Sequence, residues 1–448
     1  MCLNSDFKMK YKLLVIFSLL FVLSCKKKTT EYKSKANNPE FLHRTMKAIT
    51  DRIVYDIFSP PVASRIYTYA SVAAYEAIIH EYPTYKSLAG QLHELDSVPK
   101  TDPSLEYCFP LASTQAMIKV GRTLIFSEDE FDKFIDQIYT EFRNTGIPDD
   151  VYERSIAYGD QVAAHILVWS SKDNYKQSRS FPKYSIENNP ATWKPTPPAY
   201  MDAVEPHWNK IRTFVIDSAA QFKPVPPTPF SSQKTSQFYK EANEVFEIVK
   251  NITDEQRAIT SFWDCNPFAM NVRGHVMFAT KKISPGGHWI NITRTVCNQS
   301  KSNIAQSVEA YVRVSLSLAD GFISCWDEKY RSRVVRPETY INQYINEDWI
   351  PVLQTPPFPE HTSGHSVISG AASVALTKLF GDNYAYTDST EIEFGMPARS
   401  FKSFYQASEE AAISRMYGGI HYRPSCEIGI KQGRDIGMLV YSKIQTRE

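Results

Sequence analysis

The stretch Thr355-Pro-Pro-Phe-Pro-Glu-His-Thr-Ser-Gly-His365 brings together side chains able to grip and protonate an anion. Prolines at 356, 357 and 359 exclude helix before it, and Thr362 or Ser363 can N-cap the helix that the small apolar run after it predicts. A hydroxyl, an imidazole and free backbone N–H groups then meet in front of a helix N-terminus, a place suited to a tetrahedral oxyanion. Upstream stand Lys329 and Arg336-Pro337; downstream stand Ser414-Arg415 and His421. Together these supply fixed positive charge, forked donors and an imidazole that can act as nucleophile or metal ligand. Each block alone reads equally well as an ordinary capped helix or a surface charge. Three blocks in order, each with fixed internal spacing, form a specific signal.

The order Lys-x6-Arg-Pro, Ser-Gly-His and Ser-Arg-x5-His resembles the vanadium-dependent haloperoxidase and type 2 phosphatidic acid phosphatase superfamily, in its soluble bacterial haloperoxidase-like branch. The phrases around Phe262-Trp263-Asp264 and Pro285-Gly-Gly-His-Trp289 extend the resemblance over most of the chain after residue 40. It implies that Lys329, Arg336 and Arg415 surround the equatorial oxygens of vanadate or phosphate, with Ser363 and the Gly364 N–H completing the hydrogen bonds. His421 is then axial, as a nitrogen ligand to vanadium or as the nucleophile attacking phosphorus, and His365 handles the apical proton. Asp264 matches a carboxylate that pairs with the second arginine. Trp326 and Phe358 match aromatic residues lining the halide side of fungal-type chloroperoxidases.

Two positions depart from the pattern. Thr362 stands where the family usually has proline. Ser425 stands four residues after His421, where the family usually has the aspartate that orients the axial imidazole; Glu427 is two residues further on, pointing elsewhere on a helix. A nucleophile without that support matters more to a phosphatase than to a vanadium ligand. The resemblance therefore implies a vanadate enzyme oxidising halide with hydrogen peroxide in the presence of an organic acceptor. The alternatives are a phosphomonoesterase working through a phosphohistidine, and a lipid-anchored protein that only binds phosphate or a related oxyanion.

The elements that must position these residues are helical. With 43% hydrophobic residues and 13% aromatics, 448 residues hold ample core material, and 17 glycines with few alternating apolar runs argue against a sheet protein. A net charge of +1 gives no argument for nucleic acid or an acidic membrane surface as partner. Apolar residues recur at helical spacing from Glu40 to Ile57 and again from Ile66 to Ile78, with further helices expected at 110–126, 127–144, 149–171 and 234–250. Thr253 caps the next helix, another is expected from near Met270, and Pro285-Gly-Gly is expected to break the chain around a buried turn histidine, His288. Ser302–Trp326 reads as one long amphipathic helix, with Lys329 and Arg336 about two turns apart if it continues. Pro424 starts a final helix in which Gly429, Gly433 and Gly437 form a stripe, expected where another helix comes unusually close.

The expected architecture is all-α, in helical bundles of the haloperoxidase and acid phosphatase type, with the active site in the C-terminal bundle. Residues 39–300 form the N-terminal helical part, with a Pro/Trp-rich ordered excursion at 172–232, and 301–448 form the catalytic bundle. At the start of the chain, three lysines precede an apolar run ending Val22-Leu-Ser-Cys25. That run is too short to span a membrane and reads as a lipoprotein signal (1–24), with Cys25 acylated and 25–38 as a flexible tether. This places the protein on the bacterial cell envelope, touching membrane through that anchor alone. The remaining cysteines, 108, 265, 297, 325 and 426, have no metal spacing along the chain and are expected buried and unpaired.

Overall fold

The computed structural model describes residues 31–273, 276–279 and 281–448, so the expected signal segment and Cys25 lie outside the described residues. The helices run α1 Glu40–Tyr55, α2 Pro60–Ile78, α3 Phe109–Leu124, α4 Glu128–Asn144, α5 Asp149–Ser171, α6 Tyr175–Ser178, α7 Gln237–Lys250 and α8 Asp254–Phe262. They continue as α9 Pro285–Gln299, α10 Ile304–Ser332, α11 Pro337–Tyr344, α12 Gly364–Phe380, α13 Phe404–Tyr417 and α14 Arg423–Lys443. Two short antiparallel pairs, β1 Met270–Arg273 with β2 Val276–Ala279 and β3 Tyr386–Asp388 with β4 Arg399–Phe401, are the strands among the described residues. The fold is all-α. No helix among the described residues is long and apolar enough to cross a membrane.

α2 and α10 form the spine. Pro60 and Pro61 open α2 where no N–H is needed, and all of its residues are buried. α10 is opened by a capping box between Asn303 and Gln306 and closed by Arg333 in the left-handed conformation. Lys329 therefore lies in the last turn of α10, whereas Arg336 is the extended N-cap residue of α11. The two cations are not two turns apart on one helix; the reversal at Arg333 brings them together instead.

The glycine stripe does what its spacing predicts. A Cβ on Gly433 would lie 1.9 Å from the Val367 carbonyl oxygen, and one on Gly437 would lie 2.7 Å from that of Ala371. Backbone thus rests on backbone between α14 and α12, and the partner glycine Gly370 meets Ile430 in the same way. This contact fixes the height of the α12 N-terminus, which carries Ser363, Gly364 and His365, against the start of α14, which follows His421.

The excursion at 172–232 packs on the helical body. Trp193 and Trp208 are buried, and three consecutive N–H groups, of Phe214, Val215 and Ile216, donate to the buried Asp320 carboxylate on α10. Three local expectations are corrected. Residues near Met270 form β1 rather than a helix. Pro285 starts α9, with Ser284 accepting from the Gly287 N–H as N-cap, so Pro285-Gly-Gly initiates a helix instead of breaking one. The distal part of the expected tether is docked: residues 31–36 are helical, Tyr32 and Ala36 are buried, and the Tyr32 hydroxyl donates to Glu106 at 2.7 Å. All five described cysteines are free and buried.

Candidate oxyanion site

Four segments converge: the end of α10, the Arg336 cap, the Pro-rich run into α12, and the loop between α13 and α14. Ser363 is the N-cap of α12, its hydroxyl accepting from the Ser366 N–H at 3.4 Å. Thr362 instead donates its hydroxyl to Gln432 Oε1 on α14 at 2.8 Å, so the residue replacing proline anchors the cap rather than forming it. Lys329 Nζ donates to the carbonyls of Pro359 and Glu360 at 2.9 and 3.0 Å. Arg336 donates from Nε to the Phe358 carbonyl at 2.9 Å and from Nη1 to the Ile420 carbonyl at 2.8 Å.

Arg336 Nη1 also donates to His421 Nε2 at 3.1 Å. A guanidinium can only donate, so Nε2 carries a lone pair and the ring proton is on Nδ1. That proton is held by Glu360 Oε1 at 2.8 Å. Glu360 also accepts from the Tyr422 N–H at 3.0 Å and from the Ser425 hydroxyl at 2.6 Å. The orienting carboxylate therefore comes from the segment before α12, and Ser425 fixes that carboxylate in place of supplying one. The expectation that His421 lacks support is corrected. Glu427 is exposed and faces Arg423. Glu360 was missed because family spacing directs attention to the position after His421; its signal was a lone acid in the apolar, proline-rich run five residues before His365.

Burial pushes the His421 pKa well below its usual value, with Arg336 and Lys329 adding to the effect. Burial likewise depresses His365, assisted by Arg415. The Trp263 carbonyl accepts from the His365 ring, and Nε2 is buried without a partner, so the donating atom is Nδ1 and Nε2 is a free proton acceptor. Burial also lowers Lys329, Arg415 and Arg336, the last to about 10, which leaves Arg336 cationic at neutral pH.

Trp326 and Phe358 pack against each other, ring centroids 4.9 Å apart, and the Lys329 ammonium and Arg336 guanidinium each lie 5.1 Å from the Phe358 ring centre. Both aromatics line a cavity of about 30 Å³ together with His365, His421, Gly364 and Arg415, room for two or three waters at ~10–15 Å³ each. Lys329, Arg336 and Ser363 stand just behind that lining. Asp264 also lines the cavity, yet its ion pair is with Lys282. The expected pairing of Asp264 with Arg415 is thus corrected: Arg415 Nε donates to the Ser414 hydroxyl at 3.1 Å, and the Asp264 carboxylate acts on Arg415 only through its charge.

The chain matches the family model described as the VCPO second helical-bundle domain over residues 309–447, a span that contains all the residues of the three blocks. It is 50% identical to a bacterial vanadium-dependent iodoperoxidase of known structure, with a TM-score of 0.87, 92% of this chain and 98% of that chain covered. The chain belongs to the vanadium-dependent haloperoxidase superfamily. Bacterial vanadium-dependent chloroperoxidases share the fold in holo and apo forms, at 16% identity and TM-scores of 0.67 and 0.66; the comparisons cover 87% and 86% of this chain and 93% and 94% of those chains. No curated protein sequence matches the chain.

The donor set of this haloperoxidase-family chain fits the vanadate that its family implies. Arg336 Nη2 and Arg415 Nη2 are buried donors without partners, which is costly unless an anion accepts from them, and His365 Nε2 is a buried acceptor without a partner that a hydroxyl of such an anion would satisfy. Gly364 lines the same cavity at the start of α12, where the first backbone N–H groups of a helix are free to donate. His421 Nε2, which accepts from Arg336 Nη1 here, carries a lone pair that could serve vanadium instead.

Proposed function

We propose that the protein is a vanadate-dependent haloperoxidase that oxidises iodide with hydrogen peroxide. The observation that carries this reading is the trio of unpartnered buried nitrogens of Arg336, Arg415 and His365, facing a His421 whose lone pair is aimed by Glu360. Iodide as the halide rests on the 50% identity to the iodoperoxidase across nearly the whole chain.

Bound vanadate supplies the electrophilic centre at which peroxide becomes able to oxidise halide. Lys329, Arg336 and Arg415 offset the charge of its oxygens, the arginines with N–H geometry that matches them. His421 would hold the vanadate through Nε2, while Glu360 keeps the proton on Nδ1. His365 takes and returns a proton at Nε2, its ring fixed by the Trp263 carbonyl. Trp326 and Phe358 keep bulk water from the oxidising step.

The phosphatase reading stays in view for one reason: the Glu360–His421 pair would orient a nucleophile as well as a ligand, so Ser425 no longer counts against it. The 50% identity to the iodoperoxidase over 92% of this chain supports the peroxidase reading. The deciding assay runs vanadate-loaded protein with peroxide and iodide, bromide or chloride, beside vanadate-free protein with a phosphomonoester. Iodide oxidation that depends on vanadate is expected. Brisk phosphomonoester hydrolysis with no halide oxidation would transfer the assignment to the phosphatase. Oxyanion binding without either reaction would leave the anion-binding protein.

A further inference from the structure

On the His365 side of the cavity lies a second group of donors that the oxyanion does not use. Cys265 follows α8, His288 stands in the first turn of α9, and Glu391 sits in the short helical turn Thr390–Phe394. All three are buried. Cys265 Sγ is 3.3 Å from His288 Nδ1 and 3.8 Å from Glu391 Oε1, and that oxygen is 3.0 Å from the same ring nitrogen. On the far side of the ring, His288 Nε2 meets Asp388 Oδ2 at 2.7 Å.

These separations are close to those of atoms that share one cation. Bonds of about 2.0–2.3 Å at tetrahedral angles hold sulfur, nitrogen and oxygen donors about 3.3–3.6 Å apart; the observed 3.0, 3.3 and 3.8 Å bracket that range, so shifts of a few tenths of an ångström would close the triangle on an ion. A thiolate, an imidazole and a carboxylate form a zinc-type set. Asp388 occupies the position of the carboxylate that fixes the tautomer of a metal-bound histidine, drawing the proton to Nε2 and freeing Nδ1. Without a cation the cluster needs a doubly protonated His288 between Asp388 and Glu391, with the Cys265 thiol also donating to Glu391; a cation would take the place of the Nδ1 and thiol protons.

We propose that Cys265, His288 and Glu391 bind one divalent cation of the zinc class, with Asp388 orienting the histidine. The cation ties three separate segments together behind the Trp263 ring, which stacks on His288 at 4.6 Å and 20°. Trp263 in turn gives its carbonyl to His365. The metal would brace the Trp263 segment beside His365, with its fourth position left to water. Cys265 also lines the oxyanion cavity, so the cation would sit beside the vanadate site; its binding does not depend on which reaction that site performs.

The test uses the purified full chain, stripped with a chelator and then equilibrated with micromolar free zinc or with cobalt(II). One zinc per chain is expected by elemental analysis and native mass spectrometry. The cobalt form should show the strong near-ultraviolet thiolate-to-metal absorption, absent in Cys265→Ser. Asp388→Asn keeps all three donors and should bind zinc about 10–100-fold more weakly. His421→Ala should retain its full equivalent of zinc, since it lies outside the cluster. Should Cys265→Ser fail to fold, the wild-type cobalt spectrum decides alone. Zinc well below one equivalent, or a cobalt form without the thiolate band, overturns the proposal and leaves His288 as a protonated partner of Asp388 and Glu391.

Discussion

Glu360 Oε1 lies 2.8 Å from His421 Nδ1, reaching across from the segment before α12 to the loop before α14. The pair fixes both the tautomer and the direction of the imidazole. It makes the geometry of the opposite ring nitrogen depend on a residue 61 positions earlier in the chain.

Replacing Glu360 with Gln should weaken vanadate binding by about 10–100-fold, because the amide cannot hold the Nδ1 proton as a carboxylate does. Vanadate affinity by calorimetry checks this, with circular dichroism to show that the fold is intact. Ser425→Ala, which removes one hydrogen bond to Glu360, should give a smaller loss in the same direction. An unchanged affinity in Glu360→Gln would remove the carboxylate from the account.

The two histidines should divide their labour. His421→Ala is expected to abolish tight vanadate binding, whereas His365→Ala should leave binding largely intact and lower turnover by about 10²–10⁴-fold, the usual worth of a proton-transfer group. Equal loss of binding in both variants would show that the axial role is misassigned.

Gly433→Ala should destabilise the fold by about 3 kcal/mol or more, since its Cβ would fall 1.9 Å from a backbone oxygen that no rotamer change can move. Gly286→Ala is the control: its Cβ would make an ordinary 3.7 Å contact with Phe322, and a change within about 1 kcal/mol is expected. Urea unfolding midpoints compare the two.

Burial pushes the Glu76 carboxyl up to about 7 from an ordinary 4.5. Between those values the native state holds a proton that the unfolded chain has released, so this group's contribution to stability falls as pH rises through that window. Glu76→Gln should flatten that slope, by an amount on the order of 1–3 kcal/mol between pH 4.5 and 7. Unfolding curves of both proteins at pH 5 and pH 7.5 measure it; parallel pH dependences would show that Glu76 titrates normally.

Export as a lipoprotein is proposed from the apolar run ending Val22-Leu-Ser-Cys25. Cys25→Ser should abolish metabolic lipid labelling and release the protein from membranes. Labelling that persists in the variant would place the anchor elsewhere or remove it.

Helix content was legible because burial stripes at 3.6-residue spacing are local: α1, α2 and α10 follow directly from the apolar residues between Glu40 and Trp326. The segments misread were those governed by other forces. Near Met270 a short apolar run suits helix or strand equally, and antiparallel pairing with Val276–Ala279 decided it. Pro285-Gly-Gly has the composition of a turn, yet proline and Ser284 also serve a helix start, and the bonds made by His288 hold the next turn in place.

By itself, the sequence set out the candidate donors Lys329, Arg336, Ser363, His365, Arg415 and His421 in order, because three short blocks with fixed internal spacing resemble the family's. It also determined that α14 would lie backbone to backbone on another helix, since a glycine every four residues leaves one face with no side chains. Only the tertiary structure decided which carboxylate serves His421, which cation Asp264 meets, and which groups surround His288. Those partners lie on segments distant in sequence, and a hydrogen bond or ion pair depends on distances of about 3 Å that no spacing along one segment encodes.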